Sequence, residues 1–540
     1  MRVLEAFWIR MDEFGQTTIV LALMLPILVS CDRQQREATR PNTFNKVVVI
    51  LSDDHAHHVT GSYGNDRIRT PNIDRLAAEG IRFTNAYCNA PICSASRQSL
   101  LTGKYPMATG VNLLFTPFPD HGNETIAEFL GDRGYQTALI GKSHFNNWAW
   151  QSLYEEGLPN HGFQTIIDRS DHRRYLDTIT SPRIPSDIAT YDRASAKASQ
   201  GAWMNADVLP HPIRDEHSLG TFLARQAISF LEDNKDQPFL LWLAFHEPHH
   251  PYYFPIEYQG KYDPTDMPLP EGSAEDDRWI PQKYRSLTDD ERRGIIASYY
   301  TSTEYMDKNV GLVLDAIDDL DLDDETIVLY LSDNGYLLND HKRFEKHTLW
   351  KEAVKQPTAL RIPGFEPGMI NELVEYVDVT PTLIDLLGVR VPDAVQGRSL
   401  LALINGTNSN HRDYVFSCYL EDNMAMVRTD SLKYIFHTGS RDLGIGYATG
   451  YGPSGMFHRL YDVVRDPEES RNLANDRAYA THLESLQQLM LRHFLTHHPD
   501  ADRCPETLTT VGKLVWFCEP RDVGTDQSST DTPVRVIKKD

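Results

Sequence analysis

Lys46–Asp54 reads KVVVILSDD. An unbroken apolar run from Val47 to Leu51, stiff at its β-branched positions, is the pattern of a strand buried on both faces. Its polar end places Asp53 and Asp54 just beyond the strand. The same plan recurs along the chain. Thr125–Lys142, TIAEFLGDRGYQTALIGK, predicts a helix and then a strand ending at Lys142. Ser218–Tyr252, SLGTFLARQAISFLEDNKDQPFLLWLAFHEPHHPY, predicts the same pair and leaves Glu247, His249 and His250 beyond the strand. Asn309–Gly335, NVGLVLDAIDDLDLDDETIVLYLSDNG, ends at Asp333 and Asn334. Thr70–Gly80, TPNIDRLAAEG, reads as a helix with Thr70 or Asn72 as cap and Gly80 as stop. Alternating helices and strands predict an α/β fold, with a large mixed or parallel central sheet flanked by helices. In open sheets of this kind, chemistry gathers at the carboxyl ends of the strands.

The texture changes twice. Pro251–Asp290 is rich in proline, aspartate and tyrosine and reads as an insertion over the site. After the helix VDVTPTLIDLLG, the runs DYVFSCYL, MAMVRTDSLKYIFHT and MFHRLYDVVRDP read as short antiparallel strands, followed by the helical AYATHLESLQQLMLRHFLTHH. We therefore expect a main domain over 46–405, a smaller α+β C-terminal subdomain with an antiparallel sheet over 406–520, and a flexible tail over 521–540. A chain of 540 residues is long enough for a large core and more than one domain. Its formal charge of −23 argues against a broad nucleic-acid footprint but leaves room for a local basic pocket.

At the N-terminus, Arg2, Glu5, Arg10, Asp12 and Glu13 precede the apolar TTIVLALMLPILVS, which ends directly at Cys31. That run is short and proline-interrupted for a membrane span, and it suits an export signal. Leu28-Val29-Ser30-Cys31 resembles a bacterial lipobox. The resemblance implies a signal peptide over 1–31, a lipidated Cys31, a polar tether over 32–45 and an exported periplasmic or cell-surface lipoprotein. Such a protein is held to the membrane by its lipid and processed by the export and lipoprotein machinery. The acidic pair Asp12 and Glu13 keeps open a secreted protein without lipid, or a single membrane anchor. Six cysteines occur, at 31, 88, 93, 418, 504 and 518, without zinc-type spacing. In an oxidising compartment Cys504 and Cys518 are the expected local disulfide.

Asp53, Asp54, Asp333 and Asn334 offer hard oxygen donors at two strand ends, suited to calcium or magnesium, although acidic pairs in that position are also ordinary solvated turns. Lys142, His144, Lys346 and His347 add positive groups that could neutralise a tetrahedral anion, or could face solvent. His249, in EPHHP, could protonate a leaving oxygen; His250 reads as the spare. The rings around YYF and the cations Arg428 and Lys433 would suit a bulky sulfated carbohydrate, or would pack two domains together.

Cys93–Pro106, CSASRQSLLTGKYP, resembles the type I sulfatase signature of the alkaline phosphatase superfamily. ILSDD, TPNIDRLAAEGIRFTNAYC, GYQTALIGKSH, AFHEPHHP, YLSDNG, FEKHTLWKEAVKQP, VDVTPTLIDLLG and RLYDVVRDPEESRNLA accompany it in the family's order. The resemblance implies an alkaline phosphatase-like sheet and a sulfuric ester hydrolase acting on sulfated carbohydrate, as bacterial polysaccharide sulfatases do. It also implies oxidation of Cys93 to formylglycine (3-oxoalanine) by a formylglycine-generating or other maturing enzyme, the hydrated aldehyde being the nucleophile. By the same resemblance Asp53, Asp54, Asp333, Asn334 and residue 93 hold a cation, calcium more than magnesium, and Arg97 holds the modified residue, with Ser96 supporting maturation or geometry. Lys142 and Lys346 bind sulfate, His144 assists release from residue 93, and His249 stands by the leaving oxygen. Ala95 stands where many relatives have proline, Ser143 lies inside GKSHFNNW, a departure from the commoner form, and Asn334 replaces a histidine of some relatives. His341 resembles a pocket-side histidine. A phosphate or phosphonate monoester hydrolase on the same scaffold is the rival enzyme, and a non-catalytic sulfated-glycan-binding lipoprotein the rival of another class.

Overall fold

Val47–Leu51 lies at the centre of β1 (Lys46–Ser52), which is buried at every position of the computed structural model. The structure describes residues 44–114, 116–119, 121–145, 159–180, 184–192, 203–408, 410–439 and 455–519. The signal peptide, Cys31, most of the tether and the tail over 521–540 lie outside them. Among the described residues no helix is long and apolar enough to cross a membrane.

The remaining strands of the main sheet are β2 (Ile81–Phe83), β3 (Gln136–Gly141), β4 (Thr165–Ile167), β5 (Phe239–Ala244), β6 (Thr326–Ser332), β7 (Thr358–Arg361) and β8 (Gly368–Ile370). They form one eight-stranded sheet in the order β8-β2-β7-β6-β1-β5-β3-β4. β1 pairs in parallel with β5 and β6, and β7 runs antiparallel to both of its neighbours. The sheet is therefore mixed, with its parallel centre at β1, as the reading of KVVVILSDD requires.

Alternation along β1 sorts its side chains to two faces. Val47, Val49 and Leu51 join the core containing Ala95, Leu100 and Leu101 of α2 (Cys93–Thr102). Val48 and Ile50 pack instead with α4 (Leu219–Asn234) and α5 (Asp289–Asp319). In chain order α1 (Pro71–Glu79) precedes α2, and α3 (Arg169–Thr178) lies between α2 and α4. Neither expected side-chain cap of α1 is used. The Thr70 hydroxyl accepts from Gly61 N, and the α1 amides of Asn72 and Ile73 donate to the Asp307 carboxylate of α5 at 3.2 and 2.8 Å. A buried carboxylate from a distant helix thus caps α1.

A four-stranded antiparallel sheet follows, built from β9 (Val415–Tyr419), β10 (Met424–Arg428), β11 (Leu432–His437) and β12 (Phe457–Asp462). One face, with Met424, Met426, Ile435 and Tyr461, continues the main core. The other, with Phe416, Val427 and Phe436, packs with α6 (Ala480–His497) and α7 (Thr510–Cys518). Two expectations fail here. No disulfide joins any of the described cysteines; Cys504 and Cys518 are instead buried among the apolar side chains of that second core, and burial pushes the Cys518 thiol well up. Lys433 and Arg428 are not a carbohydrate surface, because Lys433 pairs with Glu469 at 2.7 Å in the interior and Arg428 lies over the Tyr87 ring.

The insertion over Pro251–Asp290 is a series of short turns and not a free lid. Tyr252 is buried and exchanges a hydroxyl contact with Tyr336 at 2.9 Å, Lys283 pairs with Glu345 at 2.5 Å, and Asp276 with His341 at 3.1 Å. It is fastened to the loop that carries Lys346.

Candidate active site

The parallel ladder continues past the ends of β1, β5 and β6. Asp53 N donates to Glu247 O, and Asp333 N to Ser52 O, both at 3.1 Å. Three polar strand ends are thereby fixed side by side. The glycines of two motifs permit the close approach. A Cβ on Gly335 would lie 1.9 Å from Glu352 O, and one on Gly141 would lie 1.9 Å from Ala244 O. Neither SDNG nor GK has room for a side chain at that position.

α2 approaches the same edge, and Cys93, Ser96 and Arg97 share one of its faces at i, i+3 and i+4. Arg97 Nε donates to Asp333 Oδ2 and its Nη1 to Lys142 O, each at 2.8 Å, while the Ser96 hydroxyl donates to Asp333 O. Gln98 Nε2 reaches His144 O at 2.9 Å. One helix thus braces both the Asp333 loop and the Lys142 loop. That helical spacing in SASRQ is the signal that could have found the bracing; the partners themselves are far off in sequence.

Cys93 Sγ lies 3.6 Å from Asp53 Oδ1 and accepts from Lys346 Nζ at 2.6 Å. Lys142 Nζ pairs with Asp53 Oδ2 at 2.5 Å, and Lys346 Nζ with Asp54. Donor atoms of Asp53, Asp54, Cys93 and His249 all lie within 4.8 Å of one another. His249 Nδ1 donates to His250 O at 2.8 Å, and its Nε2 stands 3.7 Å from Asp54 Oδ2. Asn334 Nδ2 donates to Asp54 Oδ1 at 2.7 Å. The buried Asp54 Oδ2 and Asn334 Oδ1 have no hydrogen-bond partner among the described residues. Unpartnered carboxylate and amide oxygens, crowded beside a second carboxylate, fit a hard divalent cation. Asp333 adjoins this group, with Oδ1 accepting from Asp54 N and Asn334 N and Oδ2 from Arg97.

Every expected site residue is buried here except His249, which is mostly so. Burial opposes ionisation of Asp53, yet Lys142, His249 and Arg97 hold its carboxyl below the usual range. Burial raises the Cys93 thiol to about 12 against the pull of Lys142 and Lys346. Burial would also lower Lys346, but Asp54, Cys93 and Asp53 keep its ammonium well above the usual range. His144 and His249 are both depressed by burial, His144 further by Lys142 and Arg97. The positive-φ residues Asp54, His144, Glu345 and His347 lie at or beside these positions, in a backbone region that costs a non-glycine residue of order 1–3 kcal/mol. His341 stays apart, stacked on Trp350 at 4.2 Å. The sequence did not foresee the contact of His347 Nδ1 with the Tyr419 hydroxyl at 3.0 Å, which ties this edge to β9.

The Sulfatase family model matches residues 45–389, more than half of the chain. The chain belongs to the sulfatase family. A second model, described as N-sulphoglucosamine sulphohydrolase, C-terminal, matches residues 339–494. This sulfatase is 28% identical over 483 residues to a Formosa agariphila protein named Sulfatase, covering 84% of this chain and 87% of that one. It is 29% identical over 462 residues to an ulvan-active sulfatase of the same organism, covering 83% and 80%. The solved phosphonate monoester hydrolase of Agrobacterium radiobacter superposes with a TM-score of 0.70 at 21% identity, over 87% of this chain and 99% of that one. That likeness speaks for the fold alone. As a sulfatase the protein is a hydrolytic enzyme, with a buried Asp/Asp/Cys/His cluster suited to metal.

Proposed function

We propose that this sulfatase releases inorganic sulfate from a sulfated carbohydrate, a polysaccharide or its oligosaccharides, with residue 93 as formylglycine beside a calcium ion held by Asp53, Asp54, Asp333 and Asn334. The observation that carries the reading is the convergence of Cys93 with two carboxylates and two lysines in one buried site. The ulvan-active relative supports a polysaccharide class. Hydrated formylglycine supplies an oxygen nucleophile, and a divalent cation supplies charge neutralisation at the sulfate oxygens. Around them Lys142 and Lys346 bind the remaining sulfate charge, Arg97 fixes the loops on either side, His249 Nε2 delivers a proton to the departing sugar oxygen, and His144 takes the proton that frees residue 93.

Mass spectrometry of the Cys93 peptide, coupled to sulfate release from defined glycans, tests this. Conversion at residue 93 with sulfate release that is abolished by a chelator and restored by calcium is the expected result. Full turnover by protein retaining the thiol, or faster turnover of phosphate or phosphonate monoesters, would overturn it. We also propose maturation by a formylglycine-generating enzyme and export as a lipoprotein, with domains bounded at 46–405 and 406–520. Palmitate labelling that survives Cys31→Ala would refute the lipid anchor.

A further inference from the structure

The short loop after β5 faces two ways. His249 turns towards Asp54, whereas Glu247, two residues earlier, lines a cavity of about 230 Å³ on the side of α3, α4 and α5. Two residues of chain span at most about 7 Å. The cavity therefore stands within a sugar ring or two of the catalytic edge, at the same end of the sheet.

Its lining is unlike the rest of this acidic molecule. Arg169 and Arg173 enter from the first two turns of the ten-residue helix α3. Arg173 is exposed at the rim of the cavity, and the Nε2 atom of the lining residue His211 is buried with no hydrogen-bond partner among the described residues. The Glu247 side chain is 3% exposed, and its Oε2 likewise has no partner. Tyr253 and Phe254 supply ring surface, Tyr253 packing edge-on to His211 at 4.0 Å between centroids. Two guanidinium groups suit an anion, His211 and Glu247 suit hydroxyl groups, and the aromatic pair suits a pyranose face. Together they match one ligand chemistry, a sugar ring that carries a negative charge. The YYF motif was read for carbohydrate binding; Tyr253 and Phe254 face this cavity, and Tyr252 does not.

We propose that this cavity is a recognition subsite for an anion-bearing sugar adjacent to the one that is desulfated, so that the substrate is an acidic oligosaccharide. The proposal rests on the sulfatase reading for the word adjacent, and on the cavity alone for the sugar. The anion could be a uronate carboxylate or a second sulfate, and the substrates separate the two. Turnover is compared on a simple aryl sulfate, a sulfated oligosaccharide with neighbouring glucuronate, its carboxyl-reduced form, and that form carrying a second sulfate. For Arg173→Ala and Tyr253→Ala, KM should rise about tenfold or more on the charged oligosaccharides with kcat little changed, and by no more than about twofold on aryl sulfate. Equal effects on all four substrates, or none on the charged ones, would overturn the subsite. Calorimetry with the sulfate-free glucuronate oligosaccharide gives a readout independent of catalysis. Binding by the parent protein that Arg173→Ala weakens tenfold upholds the cavity even if no sulfate is ever released, and equal binding, or none by the parent, refutes it.

Discussion

Arg97 is the residue on which the geometry of the site turns. Its fork ties Asp333, beside the candidate metal cluster, to the backbone that presents Lys142, from a position 1% exposed. Lysine at this position keeps the charge but cannot make both bonds. Arg97→Lys should cost about 2–4 kcal/mol in urea unfolding, since it leaves a buried carboxylate partly uncompensated, and should lower kcat more than it raises KM. Ser96→Ala removes one hydroxyl donor and should cost about 1 kcal/mol. Equal losses for the two variants would show that Asp333 is held by other groups. At this scale the sequence was informative about identity and silent about partners. The two acidic strand ends were legible because a β-branched run that stops at a carboxylate has few readings. The Arg97–Asp333 bond joins residues that only the folded sheet brings together.

At the scale of elements, α1 shows where local rules yield to tertiary ones. Its range and its stop at Gly80 were legible from the apolar spacing, but its cap was not. Asp307, in the middle of α5, accepts from both Asn72 N and Ile73 N, a pairing that no local window contains. Asp307→Ala leaves the buried Ile73 amide and the part-buried Asn72 amide without acceptors and should destabilise the fold by about 2–3 kcal/mol. Amide hydrogen exchange should accelerate in the first turn of α1 ahead of its last turn. Uniform acceleration along α1 would place the effect elsewhere. The same limit explains Cys504 and Cys518: a spacing compatible with a disulfide says nothing of two side chains folded into an apolar layer. It also explains Lys433, whose partner Glu469 stands on the segment after β12.

For the whole molecule, His341 is the clasp between the insertion and the Lys346 loop. Burial alone would lower its imidazolium, but Asp276 at 3.1 Å and Glu352 at 3.7 Å raise it to about 9. Asp340 is the adjacent carboxylate, itself raised by burial. A histidine more basic in the folded than in the unfolded chain binds the extra proton only when folded. Its stabilisation is therefore complete below about pH 6.5 and fades as pH climbs through about 9. The thermal midpoint should fall across that window, and His341→Gln should start lower and lose that slope; a parallel decline in both proteins would assign the pH dependence to other groups. The mixed central sheet and the separate antiparallel sheet were legible because helix and strand periods alternate so regularly, whereas the order of the strands was not. The clasp was not, since it depends on where a long irregular insertion lands. One further consequence comes from α2, which is buried at all ten positions, with Cys93 at 2% exposure. On the proposed maturation, a modifying enzyme must meet that thiol before the sheet closes over it, and the window for oxidising residue 93 would shut when folding is complete. Folded thiol protein offered to a maturing enzyme should keep its cysteine, whereas the unfolded chain or a peptide spanning Cys88–Tyr105 should be converted. On that proposal activity is settled by a race between maturation and folding, and chains that fold first would stay silent for the rest of their lives.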